Sequence, residues 1–311
     1  MDWAELSFWT LVLGGAVRLA TPVVLAALGE ALVERSGMIN LGIEGMMLAG
    51  ALAGAWGAAT AGWGAGVLLA LAVGAALGLT MALLVLWGGA NQLVVGLAVT
   101  LLAGGLSTYL FQLWQPSGRT AARVPLAPVV DVPGLSSIPL VGEALFEQSV
   151  FTYLAVALVV LAAWSLRRTG VGLAVRATGD DPARAALRGV APRRVRAATL
   201  AVGGALAGLG GCVLTVGYLG SFTDNVTGGR GYVALAAVII GRWSPLGALA
   251  GAAVFAVFDA LALQAQGQGS GIPIELFTAL PYVVTLLVLI AVARGSAAPR
   301  ALGRPLDAAG G

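Results

Sequence analysis

The chain alternates between long apolar stretches and short polar ones. A helix that crosses a bilayer needs about 20 mostly apolar residues, and eight stretches approach that length. They cover about residues 9–30, 41–62, 65–87, 92–111, 150–166, 197–218, 245–264 and 275–293. The pattern predicts an all-α polytopic membrane protein, with residues 1–311 forming a single transmembrane domain.

One further apolar run, residues 231–241, is too short to cross alone. At 1.5 Å per residue it covers about 16 Å, roughly half of the hydrocarbon core. The sequence "GRWSP" then ends it at Pro245. We interpret the run as a discontinuous helix, which is tolerated only where protein or water lines it. A tilted helix with a proline kink is the alternative. The count is then about nine helices, with eight or ten also possible.

The arginines indicate the orientation, and they account for all 17 basic residues because the chain has no lysine. The loop of residues 167–196 is rich in arginine and has only Asp180 and Asp181 as acidic residues, so the positive-inside rule marks it as cytoplasmic. More arginines after residue 293 put the C-terminus on the same side. Counting crossings back from the loop places the N-terminus outside. The loop arginines are Arg167, Arg168, Arg176, Arg184, Arg188, Arg193, Arg194 and Arg196.

Two polar segments lie on the predicted outer side. No basic residue precedes Arg18, so a cleaved secretory signal is not indicated and the first apolar stretch should remain as a membrane helix. Residues 112–149 form a polar external loop in which several prolines disfavour a helix.

Composition sets the protein class and excludes several functions. Only 10% of the residues are charged, against about 25% in soluble domains, which indicates an integral membrane protein. The net charge of +3 is not a nucleic-acid signal. Without lysine or histidine the chain has no Walker A motif, no histidine-based metal site and no histidine base. The glycines of residues 203–211 lie in an apolar run, where small residues let helices pack closely.

The stretch "GEALVERSGMINLGIEGMM" is unusual because it carries several charges in apolar surroundings. A charge at the bilayer centre costs about 2.5–3.5 kcal/mol by insertion scales. We expect Glu30, Glu34 and Arg35 to be hydrated at the cytoplasmic end of the first helix. Glu44 lies a turn or two from the interface, so it either snorkels to water or faces a cavity.

The cytoplasmic loop contains a short predicted helix within "GDDPARAALRGVAP". Asp180 or Asp181 can cap it, Pro182 suits its first position, and Gly189 suits the left-handed position after its end. Such a helix would form a docking element for a soluble partner. The alternative is a solvated loop whose arginines only fix the topology.

Four motifs resemble, in order along the chain, the permeases of nucleoside and simple-sugar ABC importers, a branch related to ribose and branched-chain amino acid permeases. They are "GEALVERSGMINLGIEGMMLAGA", "NQLVVGLAVTLLAGGLS", "GLAVRATGDDPARAALRGV" and "GYLGSFTDNVTGGRGYVALAAVIIGRWSPLGAL". The similarity covers about residues 20–295. The "ERSGMINLGIEGMM" and "SFTDNVTGGRGY" forms look most like the nucleoside-uptake subgroup.

The resemblance implies a type II importer fold and several partners. It implies a second homologous permease subunit, a cytoplasmic ABC ATPase that binds ATP and Mg²⁺, and an extracellular substrate-binding lipoprotein. This chain would then bind no cofactor and catalyse no reaction, and it would lie in the cytoplasmic membrane with its C-terminus inside. Two alternatives remain open. An ion-coupled secondary transporter needs acidic residues buried mid-helix, for which Glu44 and Asp259 qualify, and an intramembrane enzyme would have to rely on carboxylates.

Three groups of residues are the candidate sites. The ATPase-coupling group follows from the docking helix and the resemblance. The translocation path is predicted to be mostly apolar, with polar groups that contact a hydroxylated substrate weakly. The alternative is that the amides bond neighbouring helices or cap helix ends. For the external gate, we expect Arg230 to pair with Asp224 or with a carboxylate of the binding protein, because a cation is disfavoured at a helix N-terminus. The coupling residues are Arg176, Asp180, Asp181, Pro182, Ala183 and Gly189; the path residues are Asn40, Glu44, Asn91 and Gln92; the gate residues are Ser221, Asp224, Asn225 and Arg230.

Overall fold

The computed structural model describes residues 6–115, 124–131, 133–134, 142–267 and 298–306, with Ala279 and Val283. These residues are almost entirely helical. Apart from Ala279 and Val283, the predicted helix at 275–293 lies outside this part of the chain. The helices are α1 (Leu6–Arg35), α2 (Ile43–Ala61), α3 (Trp63–Ala82), α4 (Gln92–Trp114), α5 (Gly142–Phe146), α6 (Val150–Arg168), α7 (Gly170–Asp180), α8 (Pro182–Leu187), α9 (Pro192–Cys212), α10 (Arg230–Ile240) and α11 (Pro245–Gly267).

Within the described residues, six helices are long and apolar enough to cross a membrane, and the chain is a multi-pass membrane protein. Two of the six are extended by π-helical turns, α3 by Leu83–Trp87 and α9 by Val213–Leu219. Six is fewer than the predicted nine, because α2 is not among them, α10 is too short and 275–293 is outside the described residues. The six spans are Phe8–Arg35, Trp63–Trp87, Gln92–Trp114, Val150–Arg168, Pro192–Leu219 and Pro245–Gln264.

Helix α9 lies at the centre of the bundle and packs against α1, α2 and α3. Its glycines allow the backbones to touch, as a Cβ on Gly204 would lie 2.2 Å from the carbonyl oxygen of Gly74 on α3. Contact this close requires glycine on both helices. The prediction that the 203–211 glycines pack helices is therefore confirmed.

We call the two ends of the helix bundle the arginine-rich face and the opposite face. The arginine-rich face carries α7, α8 and residues 298–306, and these are joined by a hydrogen bond from the amide of Ala301 to the carbonyl of Gly179 at 2.8 Å. The opposite face carries residues 124–131 and the antiparallel pair of β1 (Val129–Asp131) and β2 (Glu147–Ser149). Val124 there donates to the carbonyl of Gly220 at 2.9 Å, just beyond α9.

Helix α10 begins inside the bundle, as predicted for a discontinuous helix. The chain leaves α9 at the opposite face and turns back, so that Thr227 contacts Glu44 in the first turn of α2. From there α10 runs toward the arginine-rich face. Arg242 and Trp243 have φ angles of 53° and 55°, a left-handed conformation that cannot continue a helix, and α11 then starts at Pro245. The proline-kinked single helix is therefore wrong.

The arginine-rich loop holds two helices, whereas the sequence predicted one. Helix α7 was not predicted; Thr169 caps it by accepting a hydrogen bond from the amide of Gly172 at 3.1 Å. At its other end a Cβ on Gly179 would lie 2.1 Å from the carbonyl oxygen of Arg35, so α7 rests directly on the end of α1. Helix α8 follows after one residue and projects from the same face.

Candidate functional site

The first part of the site is the N-terminus of α10, which is capped by a carboxylate from α2. Glu44 is 6% exposed and accepts three hydrogen bonds through its two oxygens. Oε1 accepts from the hydroxyl of Thr227 at 2.6 Å and from the amide of Gly229 at 2.9 Å, and Oε2 accepts from the amide of Gly231 at 2.6 Å. The first amides of a helix have no partner within it and form its positive end, so an anion there is stabilised.

The short side chains of the loop make this contact possible. A Cβ on Gly231 would lie 2.7 Å from both Cα and Oε2 of Glu44, so a larger residue would push α10 away from α2. Gly228 and Gly229 have φ angles of 53° and 86°, which give the tight reversal that aims the amides at the carboxylate. The backbone of this loop therefore forms a binding site for the buried carboxylate of Glu44.

The second part of the site is the turn at the other end of α10, which is held by α1. The buried carboxylate of Glu34 accepts a hydrogen bond from the indole Nε1 of Trp243. Arg35 donates from Nε to the carbonyl of Trp243 and from Nη2 to the carbonyl of Arg242 at 3.3 Å. The turn with two left-handed residues is thus fixed by one acid and one base that are adjacent on α1.

A third carboxylate orders the connection between α1 and α2. Glu30 is 1% exposed, and its Oε1 accepts from the amide of Asn40 at 3.1 Å. Asn40 is fully buried; its Oδ1 accepts from the amide of Gly42 at 3.0 Å and its Nδ2 lies 3.4 Å from the sulfur of Met46. The segment between the helices is therefore packed inside the protein.

One expectation for this stretch is wrong, and one of the two alternatives for Glu44 is excluded. Glu30 and Glu34 are buried at 1% and 4% exposure, rather than hydrated at the end of α1, because the α1–α2 connection and the turn after α10 cover them. Glu44 does not snorkel to water, because the backbone amides of the α10 loop bind it inside the bundle.

The charged side chains of this stretch hold α10 at both ends. We call the arrangement of Glu34, Arg35 and Glu44 around α10 the α10 clamp.

The predicted gate residues lie on and beside the loop that enters the bundle. Asp224 and Asn225 are exposed, and Asn225 has a φ of 55° in a turn, as expected for this residue type. Arg230 makes no ion pair with Asp224 in the described part of the chain. It donates to the carbonyl of Thr227 at 3.2 Å and interacts electrostatically with Asp259 on α11. The pairing with Asp224 is wrong, because Glu44 already supplies the negative charge that the helix end favours.

The predicted path amides make structural contacts. Asn91 caps α4, accepting from the amides of Leu93 and Val94 at 2.9 and 3.4 Å. Gln92 accepts from the amide of Ile39 at 3.2 Å and donates to the carbonyl of Gly303 at 2.7 Å. Together with buried Asn40, these amides match the alternative stated above, that they bond neighbouring segments or cap helix ends. Their role in a path stays a prediction.

The docking helix has the predicted geometry. Asp181 caps α8, accepting from the amide of Arg184 at 3.0 Å, and Pro182 is its first residue. Gly189 follows the helix with a φ of 82° and has no atom within 4 Å of its Cβ position. Ala183 is exposed, as are Arg176 and Asp180 on α7. Leu187, which the sequence did not single out, is 87% exposed at the end of α8, and its apolar side chain is free to contact another protein.

The sequence did not indicate the residues that bind the carboxylates of the α10 clamp. Trp243 and Thr227 lie within quoted motifs, but a single indole and a single hydroxyl give no signal of their partners, which are about 200 residues away along the chain. Across the described residues there is no cluster of histidine, cysteine, aspartate and glutamate that could hold a metal ion. The contacts of Glu34, Arg35 and Glu44 position a short helix.

Three relatives found by comparison with known proteins are all named as ABC transporter permease proteins. A protein provisionally named as the glucose ABC transporter permease protein TsgC13 of Haloferax volcanii is 37% identical over 262 residues, covering 84% of this chain and 79% of the relative. The guanosine ABC transporter permease protein NupQ of Bacillus subtilis is 32% identical over 297 residues, covering 92% and 93%. The nucleoside ABC transporter permease protein NupC of Lactococcus lactis is 31% identical over 297 residues, covering 91% and 92%.

The relatives include both members of two named pairs, NupB with NupC and TsgB13 with TsgC13. No solved structure matches the chain significantly. The family described as the permease component of the branched-chain amino acid transport system matches residues 12–293. The chain therefore belongs to this family of ABC transporter permeases.

Proposed function

We propose that this chain is one of two permease subunits of an ATP-driven importer that takes up nucleosides. The observation that carries the proposal is the exposed, capped helix α8, with Leu187 at its tip, on a membrane protein whose relatives are ABC permeases over nine-tenths of its length. A soluble ATPase needs such a projecting element to act on a membrane subunit. ATP and Mg²⁺ would be bound by that ATPase, and this chain would catalyse no reaction itself.

The proposed orientation puts the arginine-rich face in the cytoplasm. It rests on the positive-inside rule, applied to the arginines of α7, α8 and their neighbours. The opposite face, with residues 124–131 and Ser221, then faces a substrate-binding lipoprotein. The chain would lie in the cytoplasmic membrane with a type II importer architecture of about nine crossings, of which α10 crosses only part of the way.

The proposed coupling route runs from α8 to α10. Helix α8 is joined to α7, and α7 rests on the carbonyl of Arg35 through Gly179. Arg35 holds the turn after α10 through Trp243. A movement of α8 imposed by the ATPase would reach α10 through this short set of contacts, because packed elements transmit discrete displacements. Helix α10 and the loop from Ser221 to Gly229 would then act as a gate.

Nucleosides are the proposed substrate because two of the relatives that match over nine-tenths of both chains are named for nucleosides and guanosine. A simple sugar is the second candidate, favoured by the relative at 37% identity that is named for glucose. The pore needs only weak polar contacts, because the binding protein selects the substrate and a tight site would trap it. Asn40, Glu44, Asn91 and Gln92 remain the proposed polar contacts of the path.

The test is transport by the reconstituted complex with its ATPase and binding protein. We expect uptake of radiolabelled guanosine or adenosine that requires ATP and is not reduced by excess glucose. Competition by glucose or ribose alone would identify a sugar importer instead. Uptake driven by an ion gradient without ATP would contradict the importer assignment and favour a secondary transporter.

A further inference from the structure

We propose that a basic cavity on the arginine-rich face binds a phosphate group, that of an anionic phospholipid. The cavity has a volume of about 490 Å³ and lies between the π-helical end of α3, the start of α4, the start of α9 and residues 303–306. Volumes of about 300–1,000 Å³ are typical of small-molecule sites. The inference rests on the proposed orientation, which puts this face in the cytoplasm, and it does not depend on which substrate is transported.

Three arginines line the cavity without a compensating acid. Arg193, Arg196 and Arg304 are among its lining residues, and none of the described lining residues is aspartate or glutamate. The one ion pair in the described part of the chain joins Arg184 to Asp181, on α8. Three positive charges around one cavity repel each other, and an anion in the cavity would remove that repulsion.

The buried donors of these arginines are incompletely used. Arg196 is fully buried; its Nε donates to the carbonyl of Ser36 at 3.1 Å and its Nη1 to the carbonyl of Arg304 at 3.0 Å. Its Nη2, and the Nε of Arg193, are buried with no hydrogen-bond partner among the described residues. Carbonyls satisfy donors but leave the charge uncompensated, and a buried guanidinium without an anion is costly. A phosphate supplies several acceptor oxygens and the missing negative charge.

The start of α4 adds a further attraction for an anion. Asn91, Gln92 and Leu93 line the cavity, so the N-terminal end of this 23-residue helix faces it. The partial positive charge of a helix N-terminus favours phosphate. The cavity thus combines three guanidinium groups with a helix end.

A lipid fits the surroundings better than a free ion. Trp87 and Leu93 line the cavity and are 53% and 42% exposed, and Val94 beside them is 65% exposed. These side chains belong to α3 and α4, two candidate membrane spans of which only 28% is buried in the chain. Acyl chains can lie along this apolar surface while the headgroup enters the cavity. Basic pockets on the cytoplasmic side of membrane proteins bind anionic headgroups in this way.

The experiment uses the full-length chain purified with its partner subunits and stripped of lipid. Phosphatidylglycerol, phosphatidylcholine and inorganic phosphate are added separately. Two quantities are measured, the thermal stabilisation of the complex and, by native mass spectrometry, the amount of bound lipid. We expect phosphatidylglycerol to bind more tightly than phosphatidylcholine. Arg193→Gln and, separately, Arg304→Gln should each weaken that binding about tenfold or more, since each removes a charged hydrogen-bond donor.

The matched control is Arg168→Gln, which removes an exposed arginine from the same face at the end of α6. It should leave the affinity for phosphatidylglycerol unchanged. Equal binding by the original protein and both cavity variants, measured on samples with unchanged size-exclusion profiles, would overturn the proposal. An equal loss in Arg168→Gln would also overturn it, because attraction to the whole face would then explain the binding. Stabilisation by inorganic phosphate alone that is lost in Arg193→Gln would overturn the lipid as occupant.

Discussion

The carboxylate of Glu44 lies 2.6 Å from the backbone amide of Gly231, so a glutamate in the first turn of α2 caps the first turn of α10. This contact joins two segments that are 187 residues apart in the chain. It explains why an acidic residue is placed in an apolar stretch. The helix that it caps is too short to cross the membrane, so its first turn lies inside the protein. The first amides of a helix have no partner within the helix, and the carboxylate of Glu44 supplies one.

Replacing Glu44 should disrupt the α10 loop. Glu44→Ala leaves a buried hydroxyl and two amides without an acceptor, which costs on the order of 3 kcal/mol or more in total. Glu44→Gln keeps an acceptor but loses the charge, so it should be intermediate. Uptake and thermal stability of the reconstituted complex measure both effects. Glu147→Gln, an exposed carboxylate on the opposite face, is the control. Normal uptake in Glu44→Ala would show that the cap is dispensable.

Gly231→Ala should push α10 away from α2. The added methyl group would lie 2.7 Å from Glu44, and overpacking of this kind costs about 1–3 kcal/mol. We expect reduced uptake with normal association of the ATPase, because α8 packs against α7 and α9, whereas the added methyl group lies between α10 and α2. Gly104→Ala on α4, where no atom lies within 4 Å of the Cβ position, is the matched control. A Gly231→Ala protein indistinguishable from this control would contradict the close contact.

The turn after α10 depends on the indole of Trp243. Trp243→Phe keeps an aromatic ring but removes the donor to Glu34, which leaves a buried carboxylate oxygen without that partner at a cost of about 1–3 kcal/mol. We expect ATP hydrolysis to continue while uptake falls, because Arg35 no longer holds an ordered turn. Trp164→Phe, at a 56% exposed position on α6, should change neither rate. Unchanged coupling in Trp243→Phe would remove this turn from the proposed route.

Gly189 tests the docking helix. Its φ of 82° is costly for a β-branched residue and tolerated by asparagine. Gly189→Val should therefore weaken ATPase association or uncouple hydrolysis from uptake, whereas Gly189→Asn should retain much of both. Co-purification of the ATPase and the ratio of transport to hydrolysis are the measurements. If Gly189→Val assembles and transports normally, α8 is not the docking element.

The sequence predicts the ends of some helices more closely than those of others. Helix α10 was predicted within one residue at each end, because its length and the following "GRWSP" are local signals. The cap of α8 was likewise local, since Asp181, Pro182 and Gly189 are each placed by short-range rules. Helix boundaries of α1 and α9 extend further than predicted, because buried polar residues such as Glu34 and Arg196 lie inside the helices.

The partners of the buried charges could not be predicted. Glu34 and Trp243 are 209 residues apart, and Glu44 and Thr227 are 183 apart. Periodicity shows which residues share a helix face but not which distant segment covers that face. The expectation of hydrated glutamates was wrong for this reason. It assumed that a charge near a helix end meets water, whereas here it meets backbone amides and an indole.

The most direct test of the central claim is chemical labelling of a cysteine at Ser221, in a Cys212→Ala background that removes the one buried native thiol. The claim is that the loop leading into α10 opens to the outside and moves with the ATPase. We expect a membrane-impermeant thiol reagent to label Ser221→Cys from the outer side, at a rate that changes when ATP is trapped in the assembled importer. Ala183→Cys on α8 should be labelled only from the inner side. Labelling of Ser221→Cys only from the cytoplasmic side would contradict the topology and the gate, and an outer-side rate that ignores the nucleotide would contradict the gate.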